Sequence, residues 1–304
     1  MARWSSIASV EARAPSLIPS VTIPALSLVV LAWNQLELTT RCVRSLREGT
    51  SNEHELIVVD NGSTDGGREY ANNAGDKAIL NETNLGFAAG MNTGLALAEG
   101  EYTVFANNDT FFPPGWDGPL LETFATHPRA GIVLPAVTAA GNPVSVRTEP
   151  DTTVETLLPF GEFPSGVVYM VRTDVIRSLG GWNEEFERAS GEDLDLAFTI
   201  WAHGLDVVLD SRILVEHASQ ASMKEVPGLT ALYRKNLEQF LDRWDTGPDG
   251  PLLDTIGRED YLRNLERART AVAWIRRMLE ARGEAASLRN RIGERKGRWL
   301  RSRS

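Results

Sequence analysis

From Leu26 the apolar positions run almost unbroken through LSLVVLAWN. They then thin to a helical spacing in LELTTRCVRSLREG, where Leu36, Val43 and Leu46 share one face and Gly49 closes the run. This predicts a strand followed by a helix. The alternation repeats, with HELIVVD as strand, NGSTDGG as turn, REYANNAG as short helix, KAILN as strand, GFAAGMNTGLALAEG as helix and EYTVFANND as strand. Strands alternating with helices require right-handed crossovers. The pattern therefore predicts an α/β fold with a Rossmann-like, mostly parallel sheet flanked by helices.

Beyond Pro114 the rhythm changes. PGWDGPLLETFATHP predicts a helix, AGIVLPAV a strand, and GNPVSVR part of a loop or hairpin. Residues 148 to 165, rich in Thr, Pro and Gly, predict a loop that covers a site. GVVYMVRTDVIRSLGGW follows as strand and short helix, GEDLDLAFTIWAHG as helix, LDVVLD as strand and ILVEH as another. Residues 1–25 lack periodicity and form an extended lead-in, and the turn-rich DTGPDGP from Asp245 to Pro251 marks the main boundary. The expected division is 1–25 lead-in, 26–245 α/β domain and 246–304 basic helical extension.

Composition narrows the setting. With 304 residues, 42% hydrophobic and 24% charged, the chain can bury a sizeable core. Its single cysteine, Cys42, excludes a disulfide framework and a cysteine metal site, and suits a buried thiol in a reducing cytoplasm. Neither an export signal nor a membrane span is expected, because the longest apolar run, Leu28 to Trp33, falls far below the roughly 20 residues a spanning helix needs. The net charge of -10 hides a split: Arg258 to Ser304 hold 14 basic and 6 acidic residues (+8), leaving -18 on the rest. So acidic a body argues against nucleic acid as partner. The basic tail suits either an anionic membrane surface, at the inner face of the plasma membrane, or a solvated helix packed on the body.

Ligands of open α/β sheets bind beyond the carboxyl ends of the strands. Here those ends carry Trp33 and Asn34, Asp60 and Asn61, Asn81, and Asn107 to Asp109. Short polar residues there suit a nucleotide-binding rim, and ordinary turn chemistry supplies them too. In GEDLDLAFTIWAHG, Leu194, Ala197, Phe198 and Trp201 form one apolar face, with Glu192 and Asp193 in the first turn, where the helix dipole favours acids. Gly86, Gly90 and Gly94 at four-residue spacing suit close helix packing. Neither a Walker loop nor a GxGxxG fingerprint is present.

Taken together, LIVVDNGSTDG (Leu56–Gly66), the strand Leu28–Leu31, the strand ending in NND, NLGFAAGMNTG (Asn84–Gly94) and GEDLDL (Gly191–Leu196) resemble the inverting nucleotide-sugar glycosyltransferases of family 2, which adopt the GT-A fold. The resemblance covers roughly residues 26 to 220, and NLGFAAGMNTG is similar to the rhamnosyltransferase-like branch. It implies an enzyme that moves a sugar from a nucleotide diphospho-sugar (dTDP-rhamnose, a UDP-sugar or a GDP-sugar) to a hydroxyl of a glycan or lipid-linked acceptor in cell-envelope or polysaccharide synthesis. Ala32, Trp33 and Asn34 would hold base and ribose together with Asp60, Asn61 and Gly62, and Asn84, Gly86 and Asn92 would line the same donor. The family's Asp-X-Asp metal motif falls on Asn107, Asn108 and Asp109. Asp109 is then the expected ligand of a divalent Mg or Mn, Asn107 a neutral ligand or sugar contact, Asn108 a further nucleotide-sugar contact, and His217 a further metal ligand.

Gly181 and Trp182 match the family's sugar loop. The Glu-Asp pair supplies the general base, Asp193 before Glu192, and Asp195 is expected to be a surface or secondary residue. His54, His127 and His203 lie outside matching positions. The missing first Asp keeps open a second reading, a catalytically inactive nucleotide-sugar-binding or scaffold relative. A nucleotidyltransferase is disfavoured, since AWNQLELTT stands where its glycine-rich basic loop would be.

Overall fold

A computed structural model describes residues 25–139, 146–159, 166–188, 190–218, 228–248 and 250–301. The lead-in and most of GNPVSVR lie outside the described residues. The strands are β1 (Leu26–Ala32), β2 (His54–Asp60), β3 (Lys77–Leu80), β4 (Tyr102–Asn107), β5 (Thr110–Phe111), β6 (Ala130–Val137), β7 (Val154–Leu157), β8 (Val168–Arg172) and β9 (Asp206–His217). The helices are α1 (Leu36–Gly49), α2 (Gly67–Ala74), α3 (Phe87–Leu97), α4 (Asp117–Thr126), α5 (Thr173–Ser178), α6 (Glu192–Ala202), α7 (Leu229–Thr246) and α8 (Arg258–Arg301).

The strands form one sheet in the order β3-β2-β1-β4-β8-β6-β9-β5, with β7 also on β9. The half from β3 to β4 is parallel throughout. The other half is mixed, with β8 antiparallel to both β4 and β6, and β6 parallel to β9. Both faces are covered, as continuous apolar strands require. Leu28, Val30, Leu56 and Val58 point to the side of α1 and α4, where Cys42, Leu46, Trp116 and Leu120 are buried. Val29, Ile57 and Val59 point to the other side, against Met91, Leu95 and Ala197 of α3 and α6. Gly90 and Gly94 set the approach of α3, since a Cβ on Gly90 would stand 2.5 Å from Leu31 Cδ1 and one on Gly94 would collide with Val29 Cγ1. A third cluster joins Phe198 and Ala202 of α6, Phe240, Leu241 and Trp244 of α7, and Leu265, Ala268, Val272 and Ile275 of α8.

Three sequence expectations change. The stretch 148–165 contains a strand, β7, whose pairing with β9 has no local signal. LDVVLD and ILVEH are one strand of 12 residues, which shifts register against β6 between Pro135 and Ala136 rather than breaking. The run EYTVFANND stops at Asn107, and the next two-residue strand, β5, pairs with the end of β9. Among the described residues no helix is long and apolar enough to cross a membrane.

Candidate active site

Strand order reverses between the parallel neighbours β1 and β4. From β1 the sheet grows outward through β2 and β3, and β4 is laid down on β1's other side. The crevice beyond these carboxyl ends is the topological switch point. Its loops are knitted together. Asn34 and Gln35 take left-handed backbone conformations (φ 54 and 59), which turns the Asn34 amide onto Ser63 Oγ at 2.8 Å. The Thr64 amide donates to Asn34 Oδ1 at 2.9 Å, and Asp65 accepts from the Leu36 and Gly67 amides at 2.9 and 3.1 Å. Asn108 crosses from β4, donating to the Asn34 carbonyl and to Thr39 Oγ1 at 3.2 and 2.8 Å.

Around this crevice lie the residues expected at the nucleotide. Asp60 is fully buried at the end of β2 and, among the described residues, makes long contacts, 3.3 Å to the Ser63 amide and 3.8 Å to Arg68. It therefore retains acceptor capacity. Trp33 is half-buried beside it, and the Ala32 carbonyl takes the Asn61 amide at 2.7 Å. Asn61 instead fixes the loop before α3, because its side chain binds Asn84 Oδ1, the Gly86 carbonyl, Asn81 and the Leu85 amide. Gly62 (φ 82) is needed for close approach, as a Cβ there would lie 2.8 Å from the Thr83 backbone. Asn92 holds the Gly181-Trp182 loop, accepting from the Trp182 amide and donating to its carbonyl and to Glu184 at 2.8, 2.9 and 2.7 Å. Trp182 is a buried hub, edge-on to Phe87, Phe105 and Tyr169, and offers no exposed stacking face.

The turn after β4 places Asp109, and long-range pairing brings His217 to it. Thr110 sits opposite His217 in the β5–β9 ladder, and the Ala218 amide donates to the Asp109 carbonyl at 2.9 Å. His217 Nε2 lies 3.2 Å from Asp109 Oδ1, both side chains being nearly inaccessible. Burial works to lower the His217 pKa, but the hydrogen bond and charge of Asp109 outweigh it and raise it. His217 Nδ1 points to the Ala139 carbonyl at 2.5 Å, so in the neutral ring Nδ1 carries the proton and Nε2 presents its lone pair beside the carboxylate. One carboxylate and one imidazole converging this way fit a divalent ion that draws its remaining ligands from elsewhere, as Mg or Mn does beside phosphate. Among the described residues no third His, Cys, Asp or Glu joins them. Asn107, half-buried at the strand end, ties the pair to the next group, since its amide donates to the Val167 carbonyl at 3.2 Å.

That next group is the acidic pair at the start of α6. Gly166, the neighbour of Val167, packs on Asp193: a Cβ there would stand 3.1 Å from Asp193 Oδ2. Asp193 Oδ1 accepts from the Gly191 and Leu194 amides at 3.2 and 2.9 Å, bonds that favour the ionised form. Burial nevertheless raises its pKa. Glu192 is buried, its Oε2 without a hydrogen-bond partner among the described residues, and burial followed by the charge of Asp193 pushes it up to about 8. Tyr169 of β8 and Tyr233 of α7 feel both carboxylates, and neither stood out in the sequence; a tyrosine inside the apolar run VVYMV was the available signal. Asp195 is not a surface residue. It is buried and accepts from Arg243, Trp244 and Asn183 at 2.9, 2.8 and 3.1 Å, joining α6 to α7 and to the Trp182 loop.

Strand order and the crevice at the switch point define an α/β protein of GT-A-like fold. Sequence models of glycosyl transferase family 2 and of glycosyl transferase family group 2 match residues 27–167 and 123–245, so that glycosyltransferase family 2 sequence runs from residue 27 to residue 245. The Bacillus subtilis protein EpsH, which carries a glycosyltransferase description, is 32% identical over 104 residues, 33% of this chain and 30% of EpsH. The chain thus spans less than a third of that relative's length. Among solved structures, S. aureus TarS 1-349 superposes with a TM-score of 0.55 at 17% identity, over 79% of this chain and 69% of TarS. Mannosyltransferase PcManGT of Pyrobaculum calidifontis, solved with GDP-Man and Mn2+, gives 0.58 at 16% identity, over 88% and 81%.

Proposed function

We propose that this protein is an inverting glycosyltransferase that moves a sugar from a nucleotide diphospho-sugar to a hydroxyl of a glycan or lipid-linked acceptor in cell-envelope or polysaccharide synthesis. The observation that carries the reading is the continuity from the Asp109–His217 pair through Asn107 and Gly166 to Asp193. A group able to hold a diphosphate-bound cation and a group able to take a proton thereby share one crevice. The GDP-Man and Mn2+ bound to PcManGT support a nucleotide-sugar donor and a divalent ion.

Asp60 and Trp33 would hold base and ribose. Asp109 and His217 would hold Mg or Mn, which when bound supplies positive charge opposite the departing diphosphate. The acceptor oxygen attacks the anomeric carbon as the bond to the diphosphate oxygen breaks; its proton passes to Asp193, and the nucleoside diphosphate leaves with the bonding pair. Asp193 suits the base better than Glu192 because it is the more exposed of the two and its amide donors favour ionisation. Burial and the charge of Asp193 favour the protonated form of Glu192.

Calorimetric titration of UDP, GDP and dTDP, with and without Mn2+, tests the assignment. Asp109→Ala and His217→Ala should each abolish the Mn2+-dependent gain in affinity of the nucleotide that binds best. An undiminished gain in both variants would remove the pair from metal binding.

A further inference from the structure

The segment before α6 holds an arginine in a conformation its side chain does not favour. Arg188 has φ 59 and Ser190 φ 74, left-handed values that cost a non-glycine residue about 1–3 kcal/mol unless the surroundings enforce them. Here they do. On one side, the Arg188 carbonyl accepts the Phe87 amide at 2.8 Å, and Gly86 packs so closely that a Cβ on it would stand 3.0 Å from Arg188 Cα. On the other, Asn236 of α7 donates to the Glu187 and Ser190 carbonyls at 3.0 and 2.9 Å. The backbone is thus pinned between the start of α3 and α7.

Its side chain is left over. Neighbouring charges are matched, Glu187 with Lys235 and Glu185 with Arg243, whereas the exposed Arg188 guanidinium makes no ion pair or hydrogen bond with the described residues. Position gives this meaning. Gly86 is bound through its carbonyl to Asn61 at the end of β2, and Glu192 opens the helix four residues further on. Arg188 therefore stands between the nucleotide rim and the acidic pair. The doubly anchored backbone fixes the point from which this side chain emerges, and its guanidinium is free to meet an anion arriving between those two places.

We propose that Arg188 binds the diphosphate of the donor, acting as a second positive group beside the Asp109–His217 site. This rests on the nucleotide-sugar reading of the crevice. Its planar fork matches phosphate oxygens.

The test compares Arg188→Asn, which tolerates the left-handed backbone, Arg188→Gly, which relieves it, and Arg188→Lys with the full-length wild type. Calorimetry uses UDP, GDP and dTDP and the matching monophosphates, all at saturating Mn2+. For the best-binding nucleotide, the Asn and Gly variants should lose at least tenfold in diphosphate affinity, with monophosphate affinity held within twofold and the Lys variant intermediate. Thermal melting should show Arg188→Gly at least as stable as wild type, so that lost affinity is not lost folding. Wild-type diphosphate affinity in the Asn and Gly variants, or an equal loss for both nucleotides, overturns the assignment of Arg188 alone. Failure of wild type to bind any of the nucleotides overturns the underlying reading, and this assignment with it.

Discussion

Glu192 shows how one buried carboxyl shapes both chemistry and stability. In the unfolded chain it ionises near 4.5, whereas in the folded protein burial and Asp193 hold its proton until about 8. The folded state therefore binds the extra proton between those values, and stability must fall as pH rises through that window. Glu192→Gln, neutral throughout, should remove most of that slope. Urea denaturation at pH 5 and pH 8 should show wild type losing about 1–3 kcal/mol across the interval and the variant losing much less. Equal slopes would mean Glu192 is ionised in the folded protein. The position of this residue was legible, because acids opening an amphipathic helix are visible in the sequence. The burial of Asp195 was not, since its partners Arg243 and Trp244 lie 48 and 49 residues away and only folding brings them near.

At the scale of elements, α3 depends on what its glycines omit. Adding a methyl at Gly94 would drive it into Val29, whose branched side chain has little room to turn, and to 3.1 Å from Val59. Gly94→Ala should cost about 1–3 kcal/mol, read as a lower denaturation midpoint. Unchanged stability would mean the helix can lift off β1 freely. The spacing of these glycines foretold close packing, and the alternation of apolar runs foretold the parallel half of the sheet. The mixed half was less legible. The two-residue strand β5 has no pattern of its own, and β7 is specified by its partner β9 rather than by local alternation. It is this non-local pairing that carries His217 to Asp109, which the sequence could suggest only through resemblance.

For the whole molecule, the basic extension has two unlike parts. Its first turns bury Leu265, Ala268, Ala271, Val272 and Ile275 against α6 and α7, so they belong to the core. Residues 282–304 carry 8 basic and 2 acidic residues, +6 of the +8 found after Arg258. A surface role for the charge therefore calls for truncation after Ala281, since removal of all of α8 would open the third cluster. The truncated protein should melt near wild type yet sediment less with vesicles containing phosphatidylglycerol at 0.1 M salt. Equal sedimentation would exclude this segment from membrane contact.

By the proposed function, the crevice between Asp60, Asp109 and Asp193 breaks a sugar–diphosphate bond. The most direct measurement is release of nucleoside diphosphate from UDP-, GDP- and dTDP-linked sugars, dTDP-rhamnose first, in the presence of Mn2+, comparing wild type with Asp193→Asn. Wild type should release the nucleoside diphosphate of one donor class with inversion at the anomeric carbon, and Asp193→Asn should lose about 10²–10⁴-fold in rate while binding the nucleotide unchanged. Full turnover by Asp193→Asn, or wild type inert toward every donor it binds, would overturn the proposed function.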